Sequence, residues 1–225
     1  MAFIRRYRAS DFEATAHICR ETLPADVSTS QPLRRLAPYI WTHPYTHLSP
    51  GTCFVLDDGG GRAVGYCIGC ADAEALAAGY DAYVAGVLEP SGEIGPPADG
   101  VDASRRLEWV VDGRFCEDAL AQTAYSGHWL LVDGNERLLA EGYRATMHID
   151  LLDEWQGKGW GRRLIEAFVE SVRPVGMADG AAACKGIWIG VGVSNAKVVP
   201  FYEKQGFRVK QREAEGQTIT MVRDY

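Results

Sequence analysis

The sequence predicts a mixed α/β domain, and three observations carry that prediction. Two short apolar runs, Cys53-Phe-Val-Leu-Asp57 and Ala63-Val-Gly-Tyr-Cys-Ile-Gly69, flank the turn Asp57-Asp-Gly-Gly-Gly61. Paired runs about a glycine turn read as a β-hairpin. A run over 145–152 passes through a glycine-rich turn into Leu164, Ile165, Phe168, Val169 and Val172, which form one face of a helix at period 3.6. A later run, Gly186-Ile-Trp-Ile-Gly-Val191, is apolar on both sides and reads as a central strand.

The other elements follow in order. Residues 2–7 read as a first strand. Asp11 is placed to cap a helix over 12–21, with Ala14, Ile18 and Cys19 on one side. A helix is expected over about 31–38, followed by a loop through Trp41 and Tyr45. The Ala-rich residues 72–85 read as helical, and 88–101, with three prolines and three glycines, as a loop. Residues 103–128 lean towards helix. A short helix over about 134–141 leads into the strand 145–152. Pro174 and Gly176 close the long helix. A short helix then carries Phe201 and Tyr202, and 207–211 with 218–223 make a last strand pair. No repeat or linker interrupts the chain, so 1–225 reads as one domain with an inserted segment at about 72–142.

Composition narrows the function. A chain of 225 residues with 47% apolar content can bury a sizeable core. A net charge of −7 argues against a broad nucleic-acid footprint. No apolar run approaches the roughly 18 residues of a membrane span. The basic N-terminus lacks the apolar core of a signal peptide, so cytosol or nucleus is expected. The six cysteines are scattered among apolar neighbours and read as reduced thiols. Cys67-Ile-Gly-Cys70 matches CxxC, but on a strand the two side chains point to opposite faces, and no second pair stands at zinc spacing. His43 and His47 flank Pro44 without a carboxylate partner. No metal is expected.

The turn Gln156-Gly-Lys-Gly-Trp-Gly-Arg162 is the most specific feature. Gly157, Gly159 and Gly161 let backbone approach a bound group without a Cβ in the way. Free amides at a helix start favour a negative group such as a diphosphate. A Walker A loop needs Lys followed by Ser or Thr, but here Gly159 follows Lys158. A dinucleotide fingerprint needs Gly-x-Gly-x-x-Gly near the first βαβ unit; here the spacing is Gly-x-Gly-x-Gly, late in the chain. Asp179 does stand about 20 residues on, yet no strand ends there.

A third reading fits better. Gln156-x-x-Gly159-x-Gly161 after an apolar strand resembles the acetyl-CoA loop of the GNAT N-acetyltransferase superfamily. Asn195 with Phe201-Tyr-Glu-Lys-Gln-Gly-Phe207 resembles that superfamily's later Asn…FYEKxGF segment, in the right order. Cys53-Phe-Val-Leu-Asp-Asp, Gly65-Tyr-Cys-Ile-Gly and His148-Ile-Asp-Leu-Leu are similar to the acetyltransferase-like C-terminal domain of O-GlcNAcases and its free-standing microbial relatives, over nearly the whole chain but loosely in 72–130. Some members of that group have lost the glycine loop; this chain keeps all of it, with Asp153 where a proline is often found.

The resemblance implies an acyl-CoA fold with helices on both faces and central strands that splay apart to admit the pantetheine arm. It implies backbone pairing of that arm at Leu151 and Leu152. It implies diphosphate binding by Gln156, Gly157, Lys158, Gly159, Trp160, Gly161 and Arg162, of which Trp160 reads more as packing. Asn195 would be a cofactor contact, a helix cap or both. Tyr202 would be the general acid for the leaving thiolate. Many members place a glutamate base on a central strand, but Gly190 and Ala145 stand at such positions here. His148 and Asp150 share a strand face by alternation. Asp150 is the first choice of base, because an acid within an apolar strand demands a reason, and His148 is the second.

The expected function is acetyl-CoA-dependent N-acetyl transfer by direct attack in a ternary complex. The acceptor would be a protein lysine, an amino sugar or a small amine, in a site shaped by the insertion and residues 31–48. Two alternatives compete with it: an acyl-CoA-binding or protein-interaction domain without catalysis, motivated by the absent glutamates, and a module for NAD or ATP.

Overall fold

In the computed structural model, which describes residues 1–25, 27–98, 104–176, 184–210 and 218–225, the first strand, β1 (Phe3–Arg6), leads to α1 (Phe12–Glu21). Asp11 stands at the N-cap of α1 but does not cap it with its side chain. Its carboxylate instead accepts from the two terminal guanidinium nitrogens of Arg5, at 2.7 and 2.8 Å, and from Arg8 N at 2.8 Å. Arg5 Nε also donates to Asp57 at 2.8 Å. A buried guanidinium between two buried carboxylates outcompetes a single amide for Asp11.

Next come α2 (Gln31–Trp41) and α3 (His43–Leu48). The loop expected through Trp41 and Tyr45 is therefore helix. Pro38 lies inside α2, and Pro44 sits in the first turn of α3, where a missing N–H forfeits no bond. The hairpin forms as the sequence predicts, β2 (Phe54–Asp57) against β3 (Ala63–Cys70). Gly69 of β3 is required: a Cβ there would stand 2.1 Å from Thr146 O and 2.8 Å from Phe168 Cε2.

Between β3 and the central strand lie α4 (Ala73–Ala78), α5 (Tyr80–Tyr83), a π-helical turn (Val84–Leu88) and α6 (Glu89–Ser91). A small hairpin follows, β4 (Val110–Val111) and β5 (Arg114–Phe115), then α7 (Glu117–Ala124), a π turn (His128–Val132) and α8 (Glu136–Ala140). The helical lean over 103–128 thus holds for α7 and misses the hairpin. Gly113, at φ 74°, supplies its turn, a local signal hidden among charged residues.

The central strand is β6 (Tyr143–Leu151), followed by α9 (Trp160–Gly176), β7 (Gly186–Gly192), α10 (Val199–Glu203), β8 (Arg208–Val209) and β9 (Thr218–Asp224). One sheet runs in the order β1-β2-β3-β6-β7-β9-β8. Every neighbouring pair is antiparallel except β6–β7.

Helices cover both faces. Leu164, Ile165, Phe168, Val169 and Val172 of α9 pack on Cys67, Met147, Ile187, Ile189 and Val191. On the other face, residues of α1–α5 and α7 pack on Tyr66, Ile68 and Cys70. Cys67 and Cys70 therefore lie in different cores, as their spacing on a strand requires.

Candidate active site

The site begins where β6 and β7 part. Their parallel register covers only Tyr143–Gly186, Ala145–Ile187 and Thr146–Trp188. Beyond it β6 stays paired to β3 as far as Leu151, and β7 to β9 as far as Gly192. Each strand keeps its outer partner and loses its inner one. The result is a cleft of about 150 Å³, lined by His148 and Asp150 from β6, Gly190 and Gly192 from β7, and Asn195 and Tyr202 beyond. Ala145 is fully buried below the parting and faces no cleft, so it was never a position from which a base could act.

His148 and Asp150 do share a face, and their cross-strand partners on β3 are Ile68 and Tyr66. Tyr66 is fully buried, and its hydroxyl donates to Asp150 Oδ2 at 2.6 Å. Burial raises the Asp150 carboxyl to about 6, against the pull of hydrogen bonding from Tyr66. His148 Nε2 lies 3.3 Å from the Tyr45 hydroxyl, and burial lowers its pKa to about 4, so its ring is neutral at pH 7. The sequence did not reveal Tyr66 or Tyr45 as members of the site.

Tyr202 lies across the cleft on α10, with Pro200 in that helix's first turn. Its ring packs edge-on against Phe207 at 5.7 Å. Burial, and then the charge of Asp150, push its hydroxyl above the usual phenol range. Asn195 lines the cleft from a 3₁₀ segment (Val193–Val198), at a kink with φ −107° and ψ 21°. It is not a helix cap.

The glycine turn has the backbone its sequence demands. Gly157 and Gly159 sit at φ 69° and 80°, and a Cβ on either would meet nothing within 4 Å. Residues of alternating hand turn successive N–H groups to one side as an anion-binding concavity. The ladder of α9 opens with Arg163 N donating to Gly159 O at 3.4 Å, so the amides of Trp160, Gly161 and Arg162 stand ahead of it. Open space before positive-φ glycines at a helix start fits a diphosphate.

The flanking side chains divide. Gln156 Nε2 donates to Leu151 O at 2.8 Å and to Asp153 Oδ1 at 3.1 Å, which ties the turn to β6. Lys158 lies over Trp155 at 5.6 Å and Arg163 over Trp160 at 4.4 Å; Trp160 packs into the α9 core. Arg162 pairs with exposed Glu166 at 3.7 Å. Leu152 departs from expectation. Its N–H donates to Val64 O at 3.1 Å and its carbonyl accepts from Trp155 N at 2.8 Å, so its main chain is engaged within the protein. Alternation along β6 then turns the main chain of Leu151 and Ile149 towards the cleft. No group of three metal-ligating side chains occurs among the described residues, and none of their helices is long and apolar enough to cross a membrane.

A sheet split at its parallel pair, with a glycine turn opening a helix beside the split, defines an acyl-CoA-binding α/β protein. Residues 124–209 match the family model described as the acetyltransferase (GNAT) domain. The crystal structure of SsHAT is 28% identical, covers 99% of this chain and 98% of its own, and superposes with a TM-score of 0.77. PaiA N-acetyltransferase from Thermoplasma acidophilum, in complex with coenzyme A, shares the fold at 11% identity, covering 100% and 99%, with a TM-score of 0.55. PH1933 from Pyrococcus horikoshii OT3 shares it at 13% identity, covering 100% and 99%, with a TM-score of 0.56. Residues 124–209 thus match a GNAT acetyltransferase domain, a family that uses acetyl-CoA, and the chain as a whole shares the fold of acetyltransferases over its full length.

Proposed function

We propose that this acetyltransferase is an N-acetyltransferase that brings an amine and acetyl-CoA together in one complex, with Asp150 as base and Tyr202 as acid. The observation that carries the reading is the cleft itself: among the described residues, one carboxylate, Asp150, and one phenol, Tyr202, line it where β6 and β7 part. Acetyl-CoA, when bound, supplies an acetyl group activated as a thioester. The main-chain amides of 157–162 would hold its diphosphate, and the main chain of Leu151, not of Leu152, would pair with its pantetheine arm.

The remaining work falls to side chains. A lysine-like amine, of pKa near 10.4, loses its proton at pH 7 at a cost of roughly 4–5 kcal/mol. Asp150, ionised above about 6, accepts that proton from the attacking nitrogen. The Tyr202 hydroxyl, held protonated by burial, donates at the leaving sulfur. Main-chain amides in the cleft polarise the acyl carbonyl. His148, neutral at pH 7, orients the acceptor side of the cleft.

The whole chain acts as one transferring domain in this reading. The described residues of the segment 72–142, with α2–α3, would shape the acceptor side, which Tyr45 of α3 already reaches through His148. A protein lysine, an amino sugar and a small amine are the acceptor classes, and the likeness to O-GlcNAcase-associated domains belongs to this same proposal.

The test has two parts. Calorimetry of the pure chain should show CoA binding. An amine panel with acetyl-CoA should release CoA, with Asp150→Asn and Tyr202→Phe lowering kcat at least tenfold while CoA binding persists. Absence of CoA binding would end the proposal. Binding without turnover on any amine would favour a non-catalytic acyl-CoA module, the reading that the bare Gly190 position supports.

A further inference from the structure

We infer that Tyr66 is a positioning residue of the acceptor site: its hydroxyl holds one oxygen of Asp150 and leaves the other to the incoming amine. The inference rests on the proposed role of Asp150 as base.

The geometry comes from strand register. Tyr66 and Asp150 are direct cross-strand partners on one face of the β3–β6 pair. Opposed side chains on one face lie within reach of each other. The Tyr66 hydroxyl is sealed in the helical core, and its contact with Asp150 Oδ2, at 2.6 Å, is a charge-assisted hydrogen bond of short length. A phenol anchored by its whole ring cannot follow a swinging carboxyl group. It therefore fixes the rotation of that group at Oδ2 and leaves Oδ1 unheld by Tyr66, on a residue that lines the cleft.

The same contact gates protonation. The groups that bear on Asp150 are Tyr66 from β3, Cys19 of α1 and Thr22 at its end, Tyr202 from α10 and His148 from its own strand face, with Cys67 on the opposite face of the sheet. Cys19 and both tyrosines are pushed upward by burial and stay neutral, and His148 is neutral above about 4. No cation stands among these groups. Tyr66 is then the first of two groups, with Thr22 at the end of α1, that favour the charged form by direct donation, against burial that opposes it. Without it, the base would be protonated at a higher pH.

The experiment follows the carboxyl group directly. Protein labelled with 13C at the aspartate side-chain carboxyls is titrated in the presence of CoA, with the Asp150 signal assigned by its loss in Asp150→Asn. In parallel, CoA release from acetyl-CoA is measured against pH with a mixture of lysyl peptide, glucosamine and spermidine as acceptors. Tyr66→Phe should move the Asp150 titration, and the acid limb of kcat/KM, upward by about one pH unit, a tenfold change in proton affinity. Replacing tyrosine with 3-fluorotyrosine, a more acidic phenol that preserves the fold, should move both downward, and it carries the test if Tyr66→Phe does not fold. A purely structural Tyr66 would lower the melting temperature and leave the titration in place, and that result overturns the inference. Undiminished CoA release by Asp150→Asn would instead overturn the base assignment, whatever Tyr66 does to the titration.

Discussion

The side-chain amide of Gln156 donates to the carbonyl of Leu151 at 2.8 Å, bridging the glycine turn to the last residue of β6. This bond holds the diphosphate cradle in register with the cleft. Gln156→Ala removes it together with the 3.1 Å bond to Asp153 Oδ1, and leaves the core untouched because the side chain is exposed. A neutral hydrogen bond contributes about 1 kcal/mol, or roughly fivefold in a binding constant. Calorimetric titration should therefore show CoA binding about fivefold weaker, with the melting temperature lowered by no more than about 2–4 °C.

The turn makes a sharper demand at Gly159, where φ is 80°. Valine there is forced out of a conformation that branched L-residues avoid. The cradle opens, and CoA affinity should fall at least tenfold. Nothing stands within 4 Å of the added Cβ, so the core is untouched and a thermal melt should barely move. Gly161 provides the contrast. Its backbone needs no positive φ, and a Cβ there meets the Phe201 ring at 3.1 and 3.4 Å, a partly exposed ring able to turn aside, and Leu151 Cδ1 at an ordinary 3.8 Å. Gly161→Ala should weaken CoA two- to threefold. Equal losses at both positions would mean that steric access, not backbone hand, governs the turn.

These glycines were legible in the sequence because the signal is local: three glycines between an apolar run and a helix-period face. The hairpin and both central strands were legible for the same reason. The shared face of His148 and Asp150 followed from alternation alone. What failed was non-local. Asp11 has the residue type and position of a cap, but the competing donor, Arg5, reaches it only when β1 and α1 are folded together. Tyr66 and Tyr45 lie 84 and 103 residues from the groups they touch, and strand register alone pairs Tyr66 with Asp150. The Leu152 main chain looked available until Val64 of β3 and the turn at Trp155 claimed it.

His43 sets an acid limit on stability. It is 1% exposed, its ring stacks on Phe12 at 3.8 Å, and its Nδ1 has no hydrogen-bond partner among the described residues. Burial lowers its pKa to about 3 from the usual 6.5. The unfolded chain thus takes the proton first, and the stabilising share of the neutral ring, complete above 6.5, is lost as the pH falls towards 3. By pH 5 the loss is on the order of 2 kcal/mol. His43→Phe keeps an aromatic ring against Phe12 and cannot be protonated. Urea unfolding at pH 7 and pH 5 should show that loss in the parent chain and a smaller one in the variant; identical slopes with pH would mean that His43 is not held neutral by the fold.

Asp150 is linked to stability with the opposite sign. Its folded pKa of about 6 lies above the value near 3.9 of an unfolded aspartate. The folded chain holds the proton more tightly, so folding is favoured below about 4 and the advantage disappears as the pH rises through 6. Above pH 7 the chain carries an ionised carboxylate in a site that burial makes unfavourable, at a cost of about 1–3 kcal/mol once its partial opening to the cleft is allowed for. Asn at this position keeps an oxygen for the Tyr66 hydroxyl and removes the charge. Asp150→Asn should therefore unfold at a higher temperature than the parent chain at pH 8 and at nearly the same temperature at pH 4.5, while transfer activity is lost. A catalytic base that weakens the fold holding it is the expected mark of a group placed for chemistry. If the variant is less stable at pH 8, the carboxylate serves the fold, and its assignment as base loses its physical ground.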